Sequence, residues 1–310
     1  LPGLPAADAV LAVLCSDLHF SHKKPSIRAD DWYEVQTRYA RQLEAIRPAW
    51  DVPIICGGDV VDSWSQPPEF LNWAIDNLPE MYSVCGQHDL PCHNYLELPK
   101  SAFWTLKKIG KIKMLTETPT TFQFPDAWLR VYGFGWEQKV RPPLLKEEGM
   151  NIIDLAVVHR YVWTKEENSY PDAPKEGNIR KMPLNVLDGY DAVLSGDNHK
   201  QFLHREDERV WFNPGTFLRR KSDEINHRPA VGLLKADGSI EKKYLDVSGD
   251  QFVDKPEAVE ASSEGLEEFV EGLKSLDHSS LDFRDAMQRA VEDEKLSKRA
   301  GNLVLQAMEE

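Results

Sequence analysis

A chain of 310 residues, 41% of them hydrophobic and 28% charged, is long enough to bury a large core and has the balance of a globular protein. A formal charge of −14 argues against a protein that coats nucleic acid indiscriminately, because phosphate contacts need an excess of Lys and Arg. No apolar run reaches the length of a bilayer span, the first residues lack a basic leader segment, and four Cys make no disulfide framework, so a cytoplasmic protein without membrane contact is expected.

The predicted elements begin with an apolar strand, Ala9 to Cys15. A helix follows in which Trp32, Val35, Tyr39, Leu43 and Ile46 recur at three and four residues, and Pro48 closes it. A short apolar run, Val52 to Cys56, enters Gly57-Gly58-Asp59, and a second helix starts at Gln66-Pro67-Pro68. A third strand, Met81 to Cys85, leads into Gly86-Gln87-His88-Asp89. Three successive strands therefore deliver polar residues at their carboxyl ends, where open α/β sheets bind ligands.

From about residue 111 short strands dominate: Lys111–Leu115, Thr120–Phe124, Trp128–Phe134, Ile152–Val158, Asp191–Leu194, Arg209–Phe212, Ala230–Lys235 and Glu241–Leu245. A mixed α/β sandwich of two sheets flanked by helices accommodates them better than a purely parallel sheet. Residues 1–250 are expected to form this domain. Residues 251–310 read as a small helical appendage, with apolar stripes at Leu266, Phe269, Val270 and Leu273, at Phe283, Met287 and Val291, and at Leu303, Val304 and Ala307. Residues 256–310 carry 14 acidic against 6 basic side chains, so −8 of the −14 lies there. Cys15, Cys56 and Cys85 end apolar strands and read as core thiols.

Divalent cations take carboxylate, imidazole and amide oxygen ligands, and a pair of ions needs a ligand able to bridge them. The chain offers Asp17-Leu18-His19, Gly58-Asp59-Val60-Val61-Asp62, Gln87-His88-Asp89, His159 and Gly196-Asp197-Asn198-His199, each after an apolar run. Singly each is a common occurrence. Together they have the ligand types and the order that one site needs.

The series resembles the calcineurin-like metallophosphoesterase pattern of Asp-x-His, Gly-Asp-x-x-Asp, Gly-Asn-His-Asp, His and Gly-His-x-His. Val131-Tyr132-Gly133-Phe134-Gly135, Asn213-Pro214-Gly215-Thr216 and Val231-Gly232-Leu233-Leu234 are similar to the SbcD-like nuclease subunits of double-strand-break repair complexes. The resemblance implies that Asp17, His19, Asp59 and His199 hold one metal and that Asp59, Gln87, His159 and Asp197 hold a second, with Asp59 as the bridge. It implies further that His88 acts at the leaving oxygen, that Asp89 orients His88, and that Asp62 orients a ligand. Two divalent ions would activate water for in-line attack on phosphorus.

Gln87 stands where the family pattern has Asn, and Asp197 where it has His. Both departures fall on the second ion and make its site harder and more negative, which favours manganese or magnesium over zinc. A decayed second site is the opposing reading. For substrate, Lys23, Lys24 and Arg28, then Lys200, His204 and Arg205, then Arg219, Arg220 and Lys221 follow the motifs and are candidates to hold a nucleic-acid backbone; Tyr161, Trp163 and Tyr170 are expected to pack against their own loop, with stacking on bases as the alternative. The expectation is a DNA exo- or endonuclease partnered by an SMC-type ATPase, with a homodimer also open. A phosphoesterase acting on small nucleotides or phosphomonoesters, and a non-catalytic binding module of the same fold, are the alternatives.

Overall fold

A computed structural model describes residues 8–125, 127–170, 173, 175–179, 187–206 and 209–253. The chain divides into Leu1–Val253 and Asp254–Glu310, and the expected helical tail from residue 254 onward lies outside the described residues. Among the described residues no helix is long and apolar enough to cross a membrane.

The first unit is built on two six-stranded sheets. The first sheet contains β1 (Val10–Cys15), β2 (Ile54–Cys56), β3 (Met81–Ser83), β4 (Ile112–Met114), β11 (Ala230–Lys235) and β12 (Ile240–Tyr244) in the order β12-β11-β1-β2-β3-β4. The second contains β5 (Thr120–Gln123), β6 (Trp128–Phe134), β7 (Ile152–His159), β8 (Ala192–Gly196), β9 (Phe202–Glu206) and β10 (Arg209–Asn213) in the order β5-β6-β7-β8-β10-β9. Strands β1 to β4 are parallel, as are β6, β7, β8 and β10, while β11, β12, β5 and β9 pair antiparallel. This is the two-sheet mixed sandwich expected from the sequence.

Both faces of the central strands are covered, which is why they read as unbroken apolar runs. Ala12 and Leu14 of β1 join Ile55, Leu155, Val157, Leu194 and Phe212 between the sheets. Val13 and Cys15 point the other way, into a cluster completed by α1 (Trp32–Ile46), α2 (Pro68–Asn77) and α3 (Ala102–Lys108). The far face of the second sheet, with Tyr132, Ala156, Val193 and Trp211, is covered by Val140, Val162, Ile179, Leu187 and Tyr190 from connecting segments. Cys15, Cys56 and Cys85 are free and buried, in keeping with core thiols.

Helix α1 starts where the Asp31 carboxylate accepts the Glu34 N–H at 2.9 Å. It ends at Arg47, held extended (ψ 116°) because Pro48 follows. Two elements were not anticipated. Helix α3 is seven residues long and shows only Ala102, Phe103 and Leu106 as a buried face, too short for a periodic signal. Strand β9 is an edge strand of mixed polarity, Phe-Leu-His-Arg-Glu.

A buried ionic hub ties the end of the unit to α1. The Asp250 side chain is fully buried and takes Arg28 at 3.1 Å, Arg219 at 2.6 Å, Arg38, and the Tyr39 hydroxyl at 2.7 Å. Phe252 packs against two of these guanidiniums, its ring centre 4.7 Å from that of Arg28 and 4.8 Å from that of Arg219. Residues 251–253 thus stay with the body, whereas the sequence reading began the tail at 251. Removing the anion leaves three cations clustered without it. Asp250→Ala is expected to lower the unfolding free energy by about 3–5 kcal/mol in urea melts; a variant as stable as the parent contradicts the hub.

Candidate metal centre

Side chains at and beyond the carboxyl ends of β1, β2, β3, β7 and β8 converge on one centre, and the loops leaving β1, β2 and β8 are strained. Seven described non-glycine residues have positive φ, and four of them are Asp17 (52°), His19 (47°), Asp59 (50°) and Asp197 (75°). Left-handed backbone costs about 1–2 kcal/mol per residue and persists where the surroundings impose it. Here each turn aims a ligating side chain inward at the strand end. Gly86 must be glycine, because a Cβ there would lie 2.0 Å from Asp59 Oδ1.

Asp17, His19 and His199 bring one ligating atom each within a common sphere, as do Asp17, Asp59 and His159. His19 Nε2 stands 3.1 Å from His199 Nε2 and 4.0 Å from Asp17 Oδ1. Asp59 Oδ2 lies 3.8 Å from His19 Nε2 and 3.4 Å from His159 Nε2, between the two sets. Gln87 Oε1 is 2.6 Å from His159 Nε2, and the Gln87 amide donates to Asp197 Oδ1 at 2.8 Å. The Asp197 backbone N–H in turn donates to Asp17 Oδ1 at 3.0 Å. The seven expected ligands therefore converge, the two departures from the family pattern side by side.

The donor set fits divalent cations. Asp17 Oδ2 and Asp59 Oδ2 are buried and accept no hydrogen bond, an arrangement that costs several kcal/mol per carboxylate unless a cation faces it. Burial, with the positive charge of Arg220 next, lowers the His19 pKa to about 3, so its ring is neutral and Nε2 offers a lone pair. Burial opposes the Asp59 carboxylate, but the neighbouring histidines, His159 first, outweigh it and hold the group below the usual carboxylate range.

What orients the imidazoles is a set of oxygens behind them. His159 Nδ1 faces the Gly57 carbonyl at 2.6 Å, His19 Nδ1 faces Asp62 at 3.3 Å, and His199 Nδ1 faces Glu224 at 3.7 Å. Each contact turns Nε2 toward the centre. Arg220 links the last two: its guanidinium binds Asp62, and its backbone N–H donates to Glu224 Oε2 at 2.7 Å. Burial would raise the Glu224 carboxyl, but His199 and the N–H groups of Arg220 and Lys221 hold it at about 2. Glu224 was missed because it follows the last motif by many residues and no local pattern marks it.

His88 lies at the exposed mouth, its backbone N–H bound to Asp59 Oδ1 at 2.9 Å. A carbonyl oxygen only accepts, so the 2.6 Å contact with Asp62 O places the proton on His88 Nδ1. Asp89, expected to orient that ring, instead accepts from Gly86 N at 2.9 Å and Val61 N at 3.2 Å and braces the loop. Burial and the Asp59 charge push its carboxyl up to about 8.

The expected basic track is largely withdrawn. Arg28 and Arg219 are buried in the Asp250 hub, because their charges are needed there. Arg205 pairs with Val210 at the start of β10, the end remote from the centre, and His204 pairs with Trp211 in mid-strand. Arg220 reaches the pocket but is bound to Asp62. Lys200 donates to Ser169 O at 2.7 Å and lies 5.0 Å over Tyr170, whose backbone N–H binds the Tyr161 hydroxyl, so this aromatic loop packs on itself. Lys23, Lys24 and Lys221 remain exposed.

Residues 11–201 match the model of the calcineurin-like phosphoesterase family, and the chain belongs to that family. No curated protein sequence matches. Among solved structures, Thermus thermophilus sulfate thiohydrolase SoxB is similar at 14% identity and TM-score 0.46, over 81% of this chain and 59% of that one. A 5′-nucleotidase precursor, also from Thermus thermophilus, is similar at 12% identity and TM-score 0.44, over 78% of this chain and 54% of that one. An archaeal phosphodiesterase is similar at 14% identity and TM-score 0.37, over 76% and 99%. The chain thus spans little more than half the length of the first two.

If Glu224 orients His199, Glu224→Ala lowers the affinity for one ion by about 10–100-fold and leaves the other ion bound, as read by manganese titration calorimetry. Glu224→Gln, which keeps an acceptor, loses less. Identical titrations of both ions in the alanine variant remove Glu224 from this role.

Proposed function

We propose that this calcineurin-like phosphoesterase is a two-metal phosphodiesterase acting on nucleotide diesters. The observation that carries the reading is Asp197, hydrogen-bonded to Gln87 beside His159 in place of a neutral imidazole. Counting the three expected carboxylate ligands alone, two divalent ions set against Asp17, Asp59 and Asp197 leave one net positive charge, one fewer than with an imidazole in place of Asp197. That suits the single charge of a diester better than the double charge of a monoester. When bound, the two ions lower the pKa of water and neutralise the phosphoryl oxygens. The oxygen-rich donors favour manganese or magnesium.

The chain's own residues supply the rest. Asp62, Glu224 and Gly57 hold the three imidazoles in place from behind. With Nδ1 of His88 committed to the Asp62 carbonyl, Nε2 is left for the substrate, and a proton carried there passes to the leaving oxygen.

DNA as the substrate, with an SMC-type ATPase as partner in a cytoplasmic repair complex, is the finer proposal. The SbcD-like segments and the exposed Lys23 and Lys24 support it, and the acidic residues 256–310, with their apolar stripes, are the proposed docking segment. A diester of small nucleotides is the second reading. It is favoured by the burial of Arg28 and Arg219, which removes two cations from any track for a polymer.

Two measurements test the proposal. With manganese, the full chain is expected to cleave linear DNA or a dinucleotide faster than p-nitrophenyl phosphate; the reverse order contradicts diester specificity, and cleavage of the dinucleotide but not of DNA selects the second reading. His88→Ala is expected to keep both ions and to slow cleavage of a nucleotide diester by about 10²–10⁴-fold, with a smaller loss on a nitrophenyl diester whose leaving group needs little protonation. Full activity in this variant sinks the assignment of His88.

A further inference from the structure

Three of the seven left-handed non-glycine residues lie outside the expected ligand set: Cys92 (φ 48°), His93 (φ 56°) and Glu137 (φ 57°). They belong to two segments that meet at Trp136. The Trp136 backbone N–H donates to Cys85 O at 2.9 Å, which fastens it to the segment that carries Gln87. Its indole stands against the His159 ring, with centroids 6.4 Å apart and planes at 60°. On another side it meets the His93 ring, with centroids 6.1 Å apart and planes also at 60°. The loop has no slack here, since a Cβ on Gly135 would lie 2.2 Å from Tyr95 Oη and 2.7 Å from Cys85 O.

Packing alone accounts poorly for this arrangement. Cys92 and His93 are exposed, and an exposed side chain gives no burial in return for two consecutive left-handed residues. What the strain achieves is to hold an imidazole beside a half-buried indole that itself stands against His159 of the metal centre. We infer that Trp136 and His93 form a subsite for the planar base of a nucleotide whose phosphate lies at the metal centre. The inference rests on the phosphodiesterase reading and adds the recognised group: a π face that stacks on any base and selects nucleotides over phosphates lacking one.

The test is calorimetric titration of the manganese-loaded full chain with adenosine 5′-monophosphate, a nucleotide of the kind diester cleavage releases, and with ribose 5-phosphate, which lacks the base. The nucleotide is expected to bind about tenfold more tightly, the gain typical of one stacked base. Trp136→Leu and His93→Ala should each reduce that preference while leaving ribose 5-phosphate affinity and metal content unchanged, and Trp136→Phe should keep most of it. His93 is exposed, so its variant carries the test even where Trp136→Leu fails to fold. Equal affinities in the parent chain, or a preference that survives both His93→Ala and Trp136→Leu, overturn the subsite. If neither compound binds the loaded chain, the phosphodiesterase reading fails and the subsite with it.

Discussion

The buried carboxylate of Asp59 is the group around which the rest of the structure is arranged. One oxygen accepts the His88 backbone N–H, while the other has no hydrogen bond and lies between His19 and His159. An ionised oxygen kept out of water in this way is stable only with a cation in front of it. The adjoining backbone is shaped by that requirement: Gly58 (φ 104°) and Asp59 are both left-handed, and Gly86 passes where no side chain fits. The Asp59 carbonyl also accepts the His19 N–H at 2.9 Å, so the β1 and β2 loops are set by the same residue.

Behind this centre runs a support that extends into the body of the fold. Asp250 holds Arg219, whose guanidinium binds the Ile225 and Val247 carbonyls, and so fixes the segment that carries Arg220 and Glu224. Glu224 and Asp62, joined through Arg220, then hold His199 and His19. The Asn213–Thr216 turn acts from below, with Thr216 N bound to His199 O at 3.1 Å and Phe217 N to Asp17 O at 3.2 Å. Gly215 (φ 70°) is needed there, since a Cβ would lie 2.7 Å from His199 O. Charges that the sequence suggested for substrate, Arg28 and Arg219, belong to this support.

The fold was legible because parallel strands covered on both faces read as unbroken apolar runs, as in Val10–Cys15 and Ile152–His159. That Asp17, His19, Asp59, Gln87, His159, Asp197 and His199 come together was legible because each sits at or just after the end of such a run. What lay hidden depended on distance in sequence. Glu224 reaches His199 across β9 and β10, and Asp250 reaches Arg28 from the far end of the unit, with no local pattern to announce either contact. The role expected of Asp89 failed for a related reason: adjacency to His88 in sequence put its carboxylate on the backbone of Gly86 and Val61, and a carbonyl of Asp62 took the ring instead. Helix α3 and strand β9 were too short or too polar for periodicity to register.

Crystals grown with manganese and measured at the manganese absorption edge would show whether Asp59 stands between two divalent ions. Two anomalous peaks about 3.5–4 Å apart are expected, one against His19 and His199 and the other against Gln87, His159 and Asp197, with the Asp59 carboxylate between them. A single peak, or peaks that leave Asp59 uncoordinated, rules out the two-ion centre.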